Sequence, residues 1–159
     1  MPGEILVRGA NVFLGYFKND DATGSVFTDD GWFKTGDMGV IDEDGCLFIK
    51  GRTKCMILGP SGQNIYPEEV ETVINSQPYV VDSLVVEDNG GLTALIYPDF
   101  AQGAKDGMSQ DVFIKFMEDT LPELNKELPN YAKLKKIEIM SEDFERTPKK
   151  SIKRYLYQR

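Results

Sequence analysis

Between Met38 and Lys50 the chain is obliged to reverse direction. Val40-Ile41 and Cys46-Leu47-Phe48-Ile49 are short apolar runs on either side of Asp44-Gly45. Asp-Gly between two such runs is a strong β-hairpin signal, because both residues tolerate positive φ. The reversal joins two glycine-anchored clusters, Gly31-Trp32-Phe33-Lys34-Thr35-Gly36-Asp37 and Gly51-Arg52-Thr53-Lys54. Asp37 and Arg52 are therefore predicted at the same end of one sheet. A carboxylate that accepts from two hydroxyls, facing a guanidinium that donates to oxygens, suits a ribose or another vicinal diol. Plainer readings stand beside this one: Asp37 as a turn residue accepting from backbone N–H groups, and Arg52 as half of a surface ion pair. Trp32 and Phe33 read as packing residues rather than stacking platforms for a base.

Composition removes several function classes. The chain of 159 residues suits one ordinary core or two small ones, and its 41% hydrophobic and 28% charged residues describe a globular chain, not a disordered one. It contains no histidine, which excludes Ser-His-Asp chemistry, histidine general bases and most zinc sites; no metal ligands are predicted. Cys46 and Cys55 are not spaced as a metal knuckle or redox pair, so a reducing, cytoplasmic compartment is expected. No apolar run approaches a membrane span, and Met1-Pro2-Gly3-Glu4 does not open a signal peptide.

Charge is unevenly distributed. Residues 1–50 carry net −5, residues 51–145 net −9, and the last fourteen residues net +6. An acidic body with a cationic tail argues against nucleic-acid binding, which needs a broad basic face, and leaves room for a local anion site. The alternative for the tail is a solvated basic helix end.

The first fifty residues read as strands and turns with no long helix, and they are marginal alone. Beyond Arg52 the pattern changes. Cys55 to Leu58 is a short apolar run, and Gly59-Pro60-Ser61-Gly62 a tight loop. Pro67 suits the first turn of a helix whose Val70, Val73 and Ile74 face inward. Val80–Glu87 and Leu92–Tyr97 are predicted strands around Asn89-Gly90. A helix is predicted from about Ser109, interrupted near Pro122. A strand over Leu134–Met140 and a terminal helix over Ser151–Gln158 complete an α+β arrangement. The compositional break at Arg52 to Cys55 marks the one domain boundary.

The run Gly-Trp-Phe-Lys-Thr-Gly-Asp, then Gly-Arg-x-Lys, then Gly62-Gln63-Asn64-Ile65-Tyr66-Pro67-Glu68-Glu69-Val70-Glu71, resembles the acyl-CoA synthetases. These belong to the adenylate-forming (AMP-binding) superfamily, with luciferases and peptide-synthetase adenylation domains, and the tail is most similar to the long-chain fatty-acid–CoA ligases. The resemblance runs from Gly3 to Thr147-Pro148. It implies that residues 1–52 are the β-rich end of a large adenylating domain, a remnant of its β-barrel subdomain. Residues 53–159 would be a small mobile α+β domain with a short sheet and flanking helices.

Residue by residue, the resemblance implies that Asp37 and Arg52 bind the ribose of ATP or AMP and that Lys54 is the hinge between two half-reactions. The loop carrying Gly59, Ser61, Gly62 and Gln63 would serve thioester formation, against the alternative of a plain β-turn. Glu69 and Glu71 read as helix-start and structural. The family's near-terminal adenylation lysine lies in Thr-Pro-x-x-Lys-hydrophobic-Lys-Arg. Here Thr147-Pro148-Lys149-Lys150-Ser151-Ile152-Lys153-Arg154 puts Ser151 at that lysine. Lys150, with Lys149 behind it, is the substitute.

The implied reaction uses ATP with Mg²⁺ to turn a fatty acid into acyl-AMP, from which coenzyme A takes the acyl group. The family's Ser/Thr/Gly-rich phosphate loop is not in these residues. The chain is thus expected to be the C-terminal portion of a ligase, partnered by that enzyme's N-terminal domain and inactive alone. The full enzyme is expected to be cytoplasmic or peripheral at a membrane. Two alternatives remain: an acyl-AMP ligase loading a carrier protein, and a non-catalytic nucleotide-sensing or interaction module.

Overall fold

The computed structural model describes residues 2–59 and 62–159, and it is α+β. The chain divides into two compact units, Met1–Met56 and Ile57–Arg159.

In the first unit, strands β1 (Gly3–Val7), β2 (Phe33–Ile41) and β3 (Leu47–Arg52) form an open antiparallel sheet in that order. It is a three-stranded sheet and not a closed barrel. The β2–β3 reversal is built as its residues require: Gly45 N–H donates to Asp42 O at 3.1 Å, with Gly45 at φ +80°. Asp42 Oδ1 accepts from Asp44 N and Cys46 N at 3.0 and 2.8 Å. The stretch read as loop contains a short helix, α1 (Asp20–Val26), started by the Asn19 side chain accepting from Ala22 N. Phe33 packs edge-on against Phe13 and beside Phe27. Trp32 lies under the Arg8 guanidinium, 4.6 Å from ring centroid to carbon. A single 3₁₀ turn, Thr53–Cys55, ends the unit's regular structure.

In the second unit a small hairpin, β4 (Ile57–Leu58) and β5 (Asn64–Ile65), leads into helix α2 (Pro67–Asn75). Pro67 opens α2 at a position whose N–H has no helical partner, with Glu68 and Glu69 in the first turn. Strands β6 (Val80–Asp88) and β7 (Gly91–Pro98) pair around Asn89 and Gly90, both at positive φ. The chain then crosses over through α3 (Phe100–Lys105), α4 (Gln110–Glu118) and α5 (Leu121–Glu127). It returns as β8 (Leu134–Ile139), parallel to β7. Thr120 and Pro122 separate α4 from α5, as the proline demands: Pro122 falls in the first turn of α5, where it breaks no hydrogen bond.

Both faces of the sheet are covered at β6 and β7, which carry the apolar runs Leu84–Val86 and Ala94–Ile96. Val85, Ala94, Ile96 and Ile137 face α2, α4 and α5, whose Ile74, Phe113, Met117 and Leu124 are buried. Leu84, Val86 and Leu95 face the other way, onto Phe144, Ile152 and Tyr157 from the tail. That second face overturns the predicted terminal helix. Residues 151–158 instead hold only one 3₁₀ turn, Arg154–Leu156, because Ile152 pairs with Arg146 and Tyr157 packs edge-on against Phe144. A helix would withdraw those side chains from the sheet.

Candidate functional site

Asp37 and Arg52 are Cα partners across β2 and β3, at the end of the sheet away from the Asp44-Gly45 turn. Arg52 Nη1 donates to Asp37 Oδ1 at 2.6 Å, and the two side chains are 60% and 30% exposed. Irregularities in the ladder create this placement. Glu4 pairs with Met38 while Leu6 pairs with Lys34, so Thr35, Gly36 and Asp37 bulge opposite Ile5. Gly36 adopts φ +73° to make the bulge. Thr35 Oγ1 pins it, donating to Ile5 O at 2.8 Å and accepting from Asp37 N at 3.1 Å. A second bulge sits at Lys50 on β3. The three residues of Thr-Gly-Asp thus divide the work, the threonine anchoring, the glycine bending and the aspartate presenting its carboxylate. Bulges that re-aim a side chain are frequent beside binding sites. One Asp37 oxygen holds Arg52, and Oδ2 accepts from no other described residue, so the pair offers an acceptor and further guanidinium donors to a ligand.

Lys54 lies exposed in the 3₁₀ turn Thr53–Cys55, two residues before the end of the first unit. In the second unit, Gly59 O accepts from Gly62 N at 2.9 Å and Gly59 N donates to Gln63 O at 2.8 Å. Gly62 adopts φ +78°. Ser61 lies outside the described residues. Gly59 and Gln63 also line a cavity of about 420 Å³, with Glu87, Asn130, Tyr131 and Lys133 on its other walls. Nothing in the sequence pointed to those four walls, which come from the β6–β7 turn and the approach to β8.

The cationic tail resolves into paired and unpaired charges. Arg146 Nη2 lies 2.8 Å from Asp82 and 2.9 Å from Asp143, and Lys153 lies 3.0 Å from Glu145. Arg154 pairs with Glu71, and Arg159 with Glu138 and Asp88. Lys149 and Lys150 are the two tail cations without a carboxylate partner among the described residues, and both are exposed. They occupy the tip of a hairpin-like loop: Lys150 N donates to Thr147 O and Thr147 N to Ser151 O, each at 2.8 Å. Lys150 sits at φ +64°, a left-handed conformation costing a non-glycine residue about 1–2 kcal/mol. Such strain is concentrated at functional sites.

Glu71 is 8% exposed and structural, as its helix position suggested. Burial pushes its carboxyl up, opposed by the Arg154 guanidinium and by Val85 N–H, which donates to it at 2.7 Å. Among the described residues no cluster of three or more His, Cys, Asp or Glu could hold a metal ion. No described helix is long and apolar enough to cross a membrane.

The sequence profile of the AMP-binding enzyme C-terminal domain matches residues 55–159. The long-chain-fatty-acid–CoA ligase FadD15 of Mycobacterium tuberculosis is 49% identical over 86 residues, which cover 54% of this chain and 14% of the relative. The crystal structure of ATP-bound MatB from Rhodopseudomonas palustris is 34% identical with a TM-score of 0.76, over 99% of this chain and 30% of that one. The O-succinylbenzoate coenzyme A synthetase MenE of Bacillus subtilis, in complex with ATP and magnesium ion, is 31% identical with a TM-score of 0.78, over 98% and 30%. The chain therefore spans less than a third of each of these proteins.

Proposed function

The chain belongs to the AMP-binding enzyme C-terminal domain family, and on that premise we propose that it is the C-terminal portion of an ATP-dependent acyl-CoA ligase. The observation that carries this reading is the Asp37–Arg52 pair, held at 2.6 Å on a bulged sheet end. A carboxylate with a free lone-pair face beside an exposed guanidinium is the chemistry a ribose diol needs.

In this reading the complete enzyme converts a carboxylic acid to acyl-AMP with ATP and Mg²⁺, then transfers the acyl group to coenzyme A. Asp37 accepts from the ribose hydroxyls and Arg52 donates to the sugar oxygens. Lys150, backed by Lys149, places an ammonium against the charge that grows on the α-phosphate and carboxylate during adenylation. Lys54 is the hinge between residues 1–52 and 53–159, and it absorbs the backbone change between half-reactions. The Gly59–Gln63 loop, with Gly62 and Ser61, and the cavity beside it receive the thiol-bearing arm of coenzyme A. The similarity to FadD15 favours a long-chain fatty acid as the substrate. The work is done in the cytoplasm, with the enzyme's N-terminal portion as the partner that supplies the acyl pocket. These residues alone are inactive.

The test is performed in the complete enzyme. Asp37→Asn removes the charge but not the size, and it is expected to weaken AMP binding roughly ten- to hundredfold, the range for a lost charge-assisted hydrogen bond. Unchanged AMP affinity by calorimetry defeats the ribose assignment. A thioester assay with coenzyme A and with a phosphopantetheinylated carrier protein as rival acceptors decides between a coenzyme A ligase and a carrier-loading ligase.

A further inference from the structure

Four loops of this chain share one hydrogen-bonding pattern. In each, a backbone N–H closes a tight turn on a carbonyl three residues earlier, and a second bond closes the five-residue ring. The pairs are Gly31 to Thr28 with Thr28 to Trp32, Gly45 to Asp42 with Asp42 to Cys46, Gly62 to Gly59 with Gly59 to Gln63, and Lys150 to Thr147 with Thr147 to Ser151. The donor of the turn is left-handed every time, at φ +84°, +80°, +78° and +64°. Glycine fills that position in three loops and lysine in the fourth. The conformation is free for glycine and costs lysine about 1–2 kcal/mol, so a contact that holds Lys150 there has strain to offset.

Arg146 makes such a contact. Its Nη1 donates to Lys150 O at 3.3 Å, while Nη2 donates to Asp82 Oδ2 at 2.8 Å and Asp143 Oδ1 at 2.9 Å. Asp82 stands on β6 and Asp143 opens the tail, so one guanidinium ties the loop tip to the sheet. In two of the other loops the first residue does the bracing: Thr28 Oγ1 accepts from Trp32 N, and Asp42 Oδ1 from Asp44 N and Cys46 N. We propose that Arg146 is a positioning residue for adenylation, holding Lys150 left-handed so that its ammonium meets the reacting phosphate from one direction. This rests on the assignment of Lys150 to that step. A guanidinium suits this role because its fork serves three acceptors on two elements at once, which a single ammonium on a flexible stem does not. Released, Lys150 relaxes to the right-handed or extended region and its side chain leaves the loop on a different vector.

The experiment is a double-mutant cycle of Arg146→Met and Lys150→Ala in the complete enzyme. Acyl-AMP formation and thioester formation from supplied acyl-AMP are measured separately. Arg146→Met is expected to lower the adenylation kcat about tenfold with the KM for ATP unchanged, to leave thioester formation within about twofold, and to add nothing in the Lys150→Ala background. Arg146→Lys, which keeps the charge beside Asp82 and Asp143, provides the same reading if the methionine variant does not fold. It is expected to show the adenylation loss with its melting midpoint retained. Equal loss in both half-reactions, full adenylation by Arg146→Lys, or an undiminished effect of Arg146→Met in the Lys150→Ala background overturns the positioning role alone. Normal adenylation by Lys150→Ala overturns the lysine assignment, and the positioning role with it.

Discussion

Lys150 is subject to two demands that oppose each other: its backbone is strained at φ +64°, and its ammonium is assigned to chemistry. Lys150→Gly separates them. It is expected to raise stability by about 1 kcal/mol, from the relieved left-handed strain, while lowering acyl-AMP formation. Urea unfolding of the chain and a pyrophosphate-release assay on the complete enzyme check the two halves. Ser151 gives the complementary change. Because the resemblance puts the family's lysine there, Lys150→Ala/Ser151→Lys is expected to recover at least tenfold adenylation over Lys150→Ala; no recovery means that the loop presents position 151 away from the phosphate. The Asp37–Arg52 pair was legible because Asp44-Gly45 sets the hairpin and the hairpin sets which residues face each other. The left-handed backbone at Lys150 was not legible, since a lysine carries no mark of it. Arg146 left no trace at all: a guanidinium reaching a main-chain carbonyl four residues on depends on the loop, not on residue type.

At the scale of elements, the tail behaves as a covering for the sheet's second face and not as a helix. Arg154 bridges from it to the buried Glu71 on α2. Arg154→Met leaves that carboxylate buried without its cation and is expected to cost about 3 kcal/mol, with Glu71→Gln in the same chain restoring part of the loss. Urea titration of the three variants reads it. The other end of the tail is pH-sensitive. Arg159 is the leading cause holding the Glu138 carboxyl down to about 2, from an ordinary value of 4.5. A carboxyl depressed on folding contributes stability above the unfolded value and loses it as pH falls toward the folded one. The advantage of the native chain over Arg159→Gln is therefore greatest near neutral pH and shrinks from 4.5 toward 2. An advantage that persists at pH 2 would show that the ion pair is not its source. The sequence suggests a terminal helix because Ile152, Tyr155 and Leu156 fall at helical spacing, whereas the far face of β6–β7 takes Ile152 and Tyr157 as its cover. Helix α3 escaped notice for a packing reason. Gly103 breaks its propensity, yet a Cβ there would stand 2.8 Å from Phe113, so the small residue is what lets α3 close on α4.

Over the whole molecule, the compositional break at Arg52 to Cys55 and the structural division after Met56 fall within a few residues of each other. If Lys54 is the hinge, Lys54→Pro fixes its φ and is expected to slow one half-reaction of the complete enzyme at least tenfold while sparing the other. Uniform slowing argues for simple damage to the turn. The crossover between β7 and β8 has a further consequence. Gly107, exposed and left-handed at φ +83°, follows α3 and precedes the piece that carries α4, α5 and β8. A backbone severed at Gly107 would still be stitched by the parallel ladder and the core across it. The halves are thus candidates for split-protein complementation: co-expressed, they are expected to co-elute as one species and to part only in denaturant.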